Sequence, residues 1–442
     1  MRYLPKSPQE RSEMLAALGF SSVDELFQHL PQSARIENPL AIPAGRSEYE
    51  IIEYFRARAR ESGEGYACFL GAGAYRHFRP VVVDSIVTRG EFLTSYTPYQ
   101  PEISQGILTT IFEFQTMVAQ LTGMDIANAS MYDGSSATPE AAMMAVRITR
   151  REKILAARTV HPEYREVMDA YLERQGLPVE TVAFDEKTGR VDMEALEKQL
   201  DDKTAAVLIQ SPNFFGVIEQ SKQIAELAHK HGALLIVMFT EAVAMGLVEP
   251  PSDADIVAGE LQSFAHPPSY GGPYCGVLAT RKEYIRQIPG RLAGQSVDQD
   301  GERAFCLTLS TREQHIRRAK ATSNICTNQA LVALMATVFM SIYGKEGLRE
   351  LAAQNVAKSR YLERSLADKG VERVFSAPYF NELVVRASSS KLESGNAKAL
   401  DDKIVGGLDL GRFNPDWQGW MLVCATEMNT REEIERYAAA FS

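Results

Sequence analysis

The stretch ALLIVMFTEA spans residues 233–242, and its first seven positions are apolar without a break. A strand with one wet face alternates polar and apolar residues, whereas an unbroken run belongs to a strand covered on both faces. The neighbouring segments repeat the theme. TAAVLIQSP (204–212) precedes it across a helical stretch at 219–230, and DADIVAGE (253–260) follows. Further upstream, ILAAR (154–158) and LPVETVAF (177–184) read as strands, with helices predicted at 162–175 and from the Asp192 cap to about residue 200. Doubly covered strands separated by helices define an α/β fold with a mostly parallel sheet.

The pattern changes after Gly301. Long helices are predicted at 311–341 and 346–369, then a strand at 382–388, a short helix at 396–405, a strand at 420–427 and a last helix from Thr430. Ahead of the sheet, Ser7-Pro8-Gln9-Glu10, Ser22-Val23-Asp24-Glu25 and Ser47-Glu48-Tyr49-Glu50 carry the S-x-x-E spacing of helix capping boxes. Three parts result. A helical extension covers 1–65; its apolar mass is too small to stand alone, so it is expected to wrap the main domain or a partner. A large α/β domain covers 66–310, and linking helices with a small C-terminal α/β domain cover 311–442.

Composition narrows the function. The formal charge is −10 with both signs mixed along 442 residues, against a nucleic-acid partner, which would require a basic face. Cys68, Cys275, Cys306, Cys326 and Cys424 are scattered without a CxxC pair, which suits a reducing compartment and supports neither a disulfide framework nor a metal site. The N-terminal MRYLPKSPQERSEML lacks the apolar core of a signal peptide. The most apolar runs, 233–239 and 330–344, fall short of the ~20 residues that cross a bilayer. A cytoplasmic location, with no membrane partner, is expected.

MYDGSSATPEAAMMA (131–145) is the sharpest local feature. Gly134, Ser135 and Ser136 lead straight into an alanine-rich helix, where backbone N–H groups and hydroxyls can cup a phosphate. The same residues also make an ordinary turn and cap. Their place ahead of the first strand of the alternating series suits a ligand site. Pyridoxal-phosphate enzymes of the aspartate-aminotransferase-like class, fold type I, put their phosphate cup at this point. They also put an acid at the end of a later strand to protonate the pyridine nitrogen, and a Schiff-base lysine further on. Glu241 is either that acid or a rim residue. Counting back from Gly271-Gly272-Pro273 sets the lysine position at Gln262, inside GELQSFAHPPSYGGP (259–273), which contains no lysine. Glutamine cannot form an imine. Lys222, Lys230 and Lys282, the nearest lysines, fall in helical or charged surroundings and read as surface residues.

Longer segments carry a resemblance. TPYQPEISQG (97–106), YDGSSATPEA (132–141), SPNFFG (211–216), SYGGPYCG (269–276), IPGRLAG (288–294) and TREQHIRRAKATSNICTNQAL (311–331) run in order across the chain. With them the chain resembles the P proteins of the glycine cleavage system, glycine dehydrogenases (decarboxylating), and among those the alpha chains.

The resemblance implies two homologous subunits, of which the second bears the Schiff-base lysine and the pyridoxal phosphate. Gln262 agrees with the chain that lacks it. The implied reaction decarboxylates glycine and hands the aminomethyl group to the lipoyl group of an H protein. Partners are then a lysine-bearing subunit 2 and the lipoyl H protein, in a dimer of heterodimers. This chain would have no catalytic residue of its own and would lend loops to the partner's pocket, with Tyr96, Thr97, Tyr99, Gln100 and Thr322, Ser323, Asn324 as candidates. An ordinary polar loop and a helix cap are the alternative readings of those segments. Arg312, His315, Arg317 and Arg318, at helical spacing, would face an acidic carrier protein or solvent. Glu241 stands where the family often has aspartate and Leu261 where it often has glycine, so Gly134, Ser135, Ser136 and Glu241 are expected to be vestigial cofactor contacts. Two other functions remain open: a stand-alone enzyme using another lysine such as Lys320, and a non-catalytic regulator on the same fold.

Overall fold

The computed structural model describes residues 6–36 and 40–442 and divides into two compact units, Met1–Glu64 and Gly65–Ser442. In the first, helices Pro8–Ala17 and Glu48–Glu61 both open on complete capping boxes, at Ser7/Glu10 and Ser47/Glu50. The third box does not form. Glu25 accepts chiefly from the backbone N–H and the hydroxyl of Ser21, no side chain caps the turn, and the chain makes only a 3-10 turn, Asp24–Phe27.

The second unit is built on a seven-stranded sheet. Its strands are β1 (Ile126–Ala127), β2 (Lys153–Ala157), β3 (Val179–Val182), β4 (Thr204–Gln210), β5 (Leu234–Phe239), β6 (Ile256–Glu260) and β7 (Gly276–Thr280), in spatial order β1-β7-β6-β5-β4-β2-β3. Pairings from β3 through β6 are parallel, and β7 is antiparallel to both its neighbours. Every residue of β2, β4, β5, β6 and β7 is buried, as the apolar runs at 204–212, 233–239 and 253–260 predict for β4, β5 and β6. Each buried Leu, Ile, Val, Met or Phe in β5 contributes roughly 1.5–3 kcal/mol, which locks the register of the strands whose ends carry the site. Helix α1 (Gly134–Thr149) packs its small residues Ala137, Ala141, Ala142 and Ala145 into the same core.

A second sheet is antiparallel and four-stranded, in the order Glu372–Arg373, Glu382–Arg386, Trp420–Cys424, Leu408–Asp409. The early segment Ala67–Cys68 pairs in parallel with Ile404–Val405, and Phe69 stacks on Tyr437 at 4.5 Å. Residues 67–69 therefore add to the C-terminal core, not to the large sheet.

The helix predicted at 311–341 is corrected. Residues 311–329 are turns and one four-residue helix, Gln314–Arg317, and a regular helix starts only at α2 (Ala330–Ala367). Tertiary bonds override helix propensity here. Asn328 donates to the Ala129 carbonyl, the Gln329 N–H to the Ser130 hydroxyl, and the Cys326 N–H to the Tyr132 hydroxyl. Arg312, Arg317 and Arg318 consequently share no helical face, and the side chain of His315 lies outside the described residues. Arg312 turns inward and donates to the carbonyls of Ile288 and Gly290, while Arg317 and Arg318 are exposed. By length and composition α2 would cross a membrane. Its backbone breaks at Gly344 (φ 56), however, and Val332, Ala333, Ala336 and Phe339 lie in the protein core.

Candidate functional site

The start of α1 is closed by the chain's own groups. Asp133 Oδ1 accepts from the Ser136 N–H (2.6 Å) and the Ser135 hydroxyl (2.7 Å), so both serines are bound within the cap. The Gly134 N–H, free to meet an anion in the predicted cup, donates to Glu260 Oε2 at 2.8 Å. The other Glu260 oxygen accepts from the N–H groups of Gln262 and Cys275, each at 2.9 Å. A buried carboxylate thus occupies the helix N-terminus, where the macrodipole favours negative charge. Burial raises the Glu260 pKa to about 7, and the backbone donors at Gly134 and Cys275 oppose that rise. Glycine is required at 134, since a Cβ there would come within 2.8 Å of the Tyr164 hydroxyl and 3.0 Å of Glu260 Cβ.

Residues 71–78 (GAGAYRHF) cross the carboxyl ends of β5 and β6, where open α/β sheets bind their ligands. Tyr75, 1% exposed, anchors the segment. Its N–H donates to Gln262 Oε1 and its carbonyl accepts from Gln262 Nε2, both at 2.9 Å; Gln262 Nε2 also reaches the His266 carbonyl. The Tyr75 hydroxyl donates to Glu382 Oε2 at 2.7 Å and lies 3.0 Å from the Thr240 hydroxyl. The Ala72 N–H donates to the other oxygen of Glu382, and the Ala72 carbonyl meets His161 Nε2 at 2.9 Å. Gln262, at the position where the sequence leads one to expect the lysine, is therefore a two-point clamp on the backbone of this segment.

Glu241 serves the same closure. Its Oε2 accepts from His77 Nε2 (2.9 Å) and Asn381 Nδ2 (2.8 Å), and its Oε1 from the Val243 N–H (3.0 Å). His77 Nδ1 donates to Glu427 Oε2 at 2.8 Å. Both ring nitrogens face carboxylates, which only accept, so the ring is an imidazolium. Burial alone would lower the His77 pKa, but Glu241 and Glu427 raise it to about 10. Glu427 also accepts from the Phe78 N–H at 2.7 Å and from Asn355 at 2.9 Å. The triad fastens the large sheet, through Glu241, to Asn381 and Glu427 of the C-terminal domain.

These residues do not fit a pyridoxal phosphate. Gln262 offers no amine, Glu260 takes the anion position, Tyr75 fills the crevice, and Glu241 already bonds its own chain. Leu261 is fully buried in the core. Lys222, Lys230, Lys282 and Lys320 are all exposed, and none touches the residues that fill the crevice.

The loop at 96–100 is organised by a residue of the IPGRLAG segment (288–294). Arg291, 3% exposed, donates to the Thr97 hydroxyl (3.0 Å), the Tyr99 hydroxyl (3.2 Å) and Asn328 Oδ1 (3.4 Å), and its guanidinium lies 5.5 Å from the Tyr99 ring centroid. Glu313 approaches it at 3.7 Å. One buried cation therefore joins the 96–100 loop to the 311–329 segment, with Tyr96, Tyr99 and Gln100 presented at the surface. Thr322, Ser323 and Asn324 lie elsewhere, lining a cavity together with Glu140 and Arg147.

Tyr75, His77, Glu260 and Arg291 were not legible as site residues. Two signals bear on them in hindsight. DADIVAGE ends its apolar run in an acid, as ALLIVMFTEA does, and GAGAYRH carries two glycines where the backbone must approach other groups closely. A Cβ on Gly71 would collide with Glu382, and one on Gly73 (φ +93) would come within 3.1 Å of His161 Nε2.

The strand order of the large sheet and its small C-terminal partner sheet are those of the aspartate-aminotransferase-like, fold type I class of pyridoxal-phosphate enzymes. A solved structure of mouse CSAD in apo form shares this fold at 16% identity, with a TM-score of 0.69 over 99% of this chain and 91% of that one. A crystal structure of glycine decarboxylase (P-protein) of the glycine cleavage system, in inhibitor-bound form, is nearer: TM-score 0.89, 38% identity, 100% of this chain and 99% of that one. The chain belongs to the glycine cleavage system P-protein family, whose model matches residues 1–441. Among its relatives is a probable glycine dehydrogenase (decarboxylating) subunit 1 of Solibacter usitatus (strain Ellin6076), 63% identical over 440 residues, covering 100% of this chain and 97% of that one. Another, of the same description, comes from Koribacter versatilis (strain Ellin345), 56% identical over 439 residues and covering 99% of each.

Proposed function

We propose that this chain is the cofactor-free subunit of a two-chain glycine dehydrogenase (decarboxylating) and that a lysine-bearing subunit 2 carries the pyridoxal phosphate. The single observation that carries the reading is the Gln262–Tyr75 clamp, in a member of a family built for glycine decarboxylation. On the partner, the cofactor supplies the electron sink for CO2 loss from glycine, and the lipoyl group of the H protein accepts the aminomethyl carbon. This chain binds the partner and presents the 96–100 loop, held by Arg291, as an aromatic and hydrogen-bonding surface. A dimer of heterodimers suits a family that pairs two homologous folds, and the scattered free cysteines support a reducing, cytoplasmic setting.

The test is glycine–CO2 exchange assayed with each chain alone and with both mixed, in the presence of H protein. Activity is expected only in the mixture; full activity from subunit 2 alone would leave this chain as a regulator. The Arg291 contacts give a second expectation. A hydrogen bond from a charged donor contributes about 1.5–3 kcal/mol. Arg291→Ala should therefore lower kcat/KM of the assembled enzyme by about tenfold or more, with the two chains still co-purifying, and Arg291→Lys should restore part of the loss. Unchanged kinetics would remove the 96–100 loop from the reaction.

A further inference from the structure

A cavity of about 530 Å3 lies between α1, the helix Pro162–Leu172 and residues 319–325, apart from the filled crevice. Glu140 and Arg147 line it from α1, seven residues apart and so on one face of the helix. Glu140 is 2% exposed and interacts with the Ser323 side chain, yet its Oε2 has no hydrogen-bond partner among the described residues. Arg147 Nε is likewise buried and unpartnered, although Nη2 of the same side chain donates to the Gln287 carbonyl at 3.2 Å. The two charges influence each other without forming an ion pair, and Arg147 also feels the positive charge of Arg312. Thr322, Ser323 and Asn324 supply polar groups to the lining, and Met143, Val146 and Leu177 an apolar wall.

Buried charged groups without partners are costly, and in folded proteins they are rarely left so unless something binds them. A simple anion would satisfy Arg147 and repel Glu140. A simple cation would do the reverse. A molecule with an ammonium and a carboxylate on adjoining atoms satisfies both at once.

We propose that this cavity is a binding site for a small α-amino acid, its ammonium paired with Glu140 and its carboxylate with Arg147. The apolar wall leaves room for a short side chain. The site belongs to this chain alone and does not depend on the decarboxylation reading, so either can fail without the other. An amino acid held here acts on the enzyme from outside the reaction centre.

The experiment is calorimetric titration of the full-length chain with glycine, and with acetate and methylammonium as half-probes. Glycine is expected to bind, and each half-probe to bind about tenfold more weakly or worse, since one lost charged hydrogen bond corresponds to about that factor. Glu140→Gln and Arg147→Met should each weaken glycine about tenfold or more. Glu140→Gln keeps the shape and one acceptor for Ser323 while removing a buried charge, so the variant should fold, and its titration stands even if Arg147→Met does not. Absence of glycine binding up to about 10 mM, far weaker than a built site gives, would overturn the proposal. So would equal binding of a half-probe, or glycine binding unchanged in Glu140→Gln. Subunit 2 provides the last arm. If adding it protects residues 319–325 from hydrogen exchange and abolishes glycine binding, the cavity is an interface between the chains and the proposal falls.

Discussion

Gln262→Lys is expected to destabilise the chain by ~3–5 kcal/mol, the cost of a buried charge without a partner, and to yield no Schiff base with added pyridoxal phosphate. Restoring the amine restores only one of the missing parts. The lysine would remove Gln262 Oε1, the acceptor of the Tyr75 N–H, and set an ammonium in a position that is 0% exposed. Glu260 would still hold the Gly134 N–H, and Tyr75 would still fill the crevice. Urea unfolding measures the first effect and visible absorbance the second. A stable variant that turns yellow with the cofactor would mean that residues 71–78 yield easily and that the site is merely disarmed.

His77→Leu has a comparable expected effect and a distinctive pH signature. The substitution strands Glu241 and Glu427 in the interior, a loss of ~3–5 kcal/mol for breaking a buried charge network. The folded-state pKa of His77, about 10, lies above its unfolded value near 6.5. Its contribution to stability is therefore complete below about pH 6.5 and is lost as pH rises toward 10. The groups facing it are Glu241 and Glu427, with Asn381 and Asn355 as neutral partners of those carboxylates. Glu260 and Glu382 act lower on the scale. Burial raises each to about 7, so the unfolded chain releases those protons first and stability falls between about pH 4.5 and 7. Denaturant midpoints from pH 7 to 10 should fall in the wild type, and the gap to His77→Leu should narrow over that range. A gap that stayed constant would show that the imidazolium is not the group responsible.

How much was legible followed from how local the physics is. The buried strands declare themselves, because a doubly covered strand must be apolar along its whole length, and β4, β5 and β6 fall where their runs lie. Capping boxes are equally local, and two of the three formed; the third shifted by one residue to Ser21. What could not be read is which distant segment would occupy the crevice. Tyr75 and Gln262 are separated by 187 residues and Tyr75 and Glu382 by 307, so no spacing rule connects them. The 311–329 segment failed for a related reason. Its sequence suits a helix, but Asn328, Gln329 and Arg312 each gain a buried backbone or side-chain partner on other elements. Glu241 combined both cases: its place at the end of β5 was evident, while its partners His77 and Asn381 lay beyond local reading.

The most direct measurement of the central claim, that this chain fills its own cofactor crevice and leaves the chemistry to its partner, is borohydride reduction of the assembled two-chain enzyme with pyridoxal phosphate, followed by peptide mapping and a cofactor count. One pyridoxyl group per pair of chains, attached to a lysine of subunit 2 and to no peptide of this chain, is the predicted result. A second equivalent per pair, bound to this chain or trapped on one of its lysines, would contradict it.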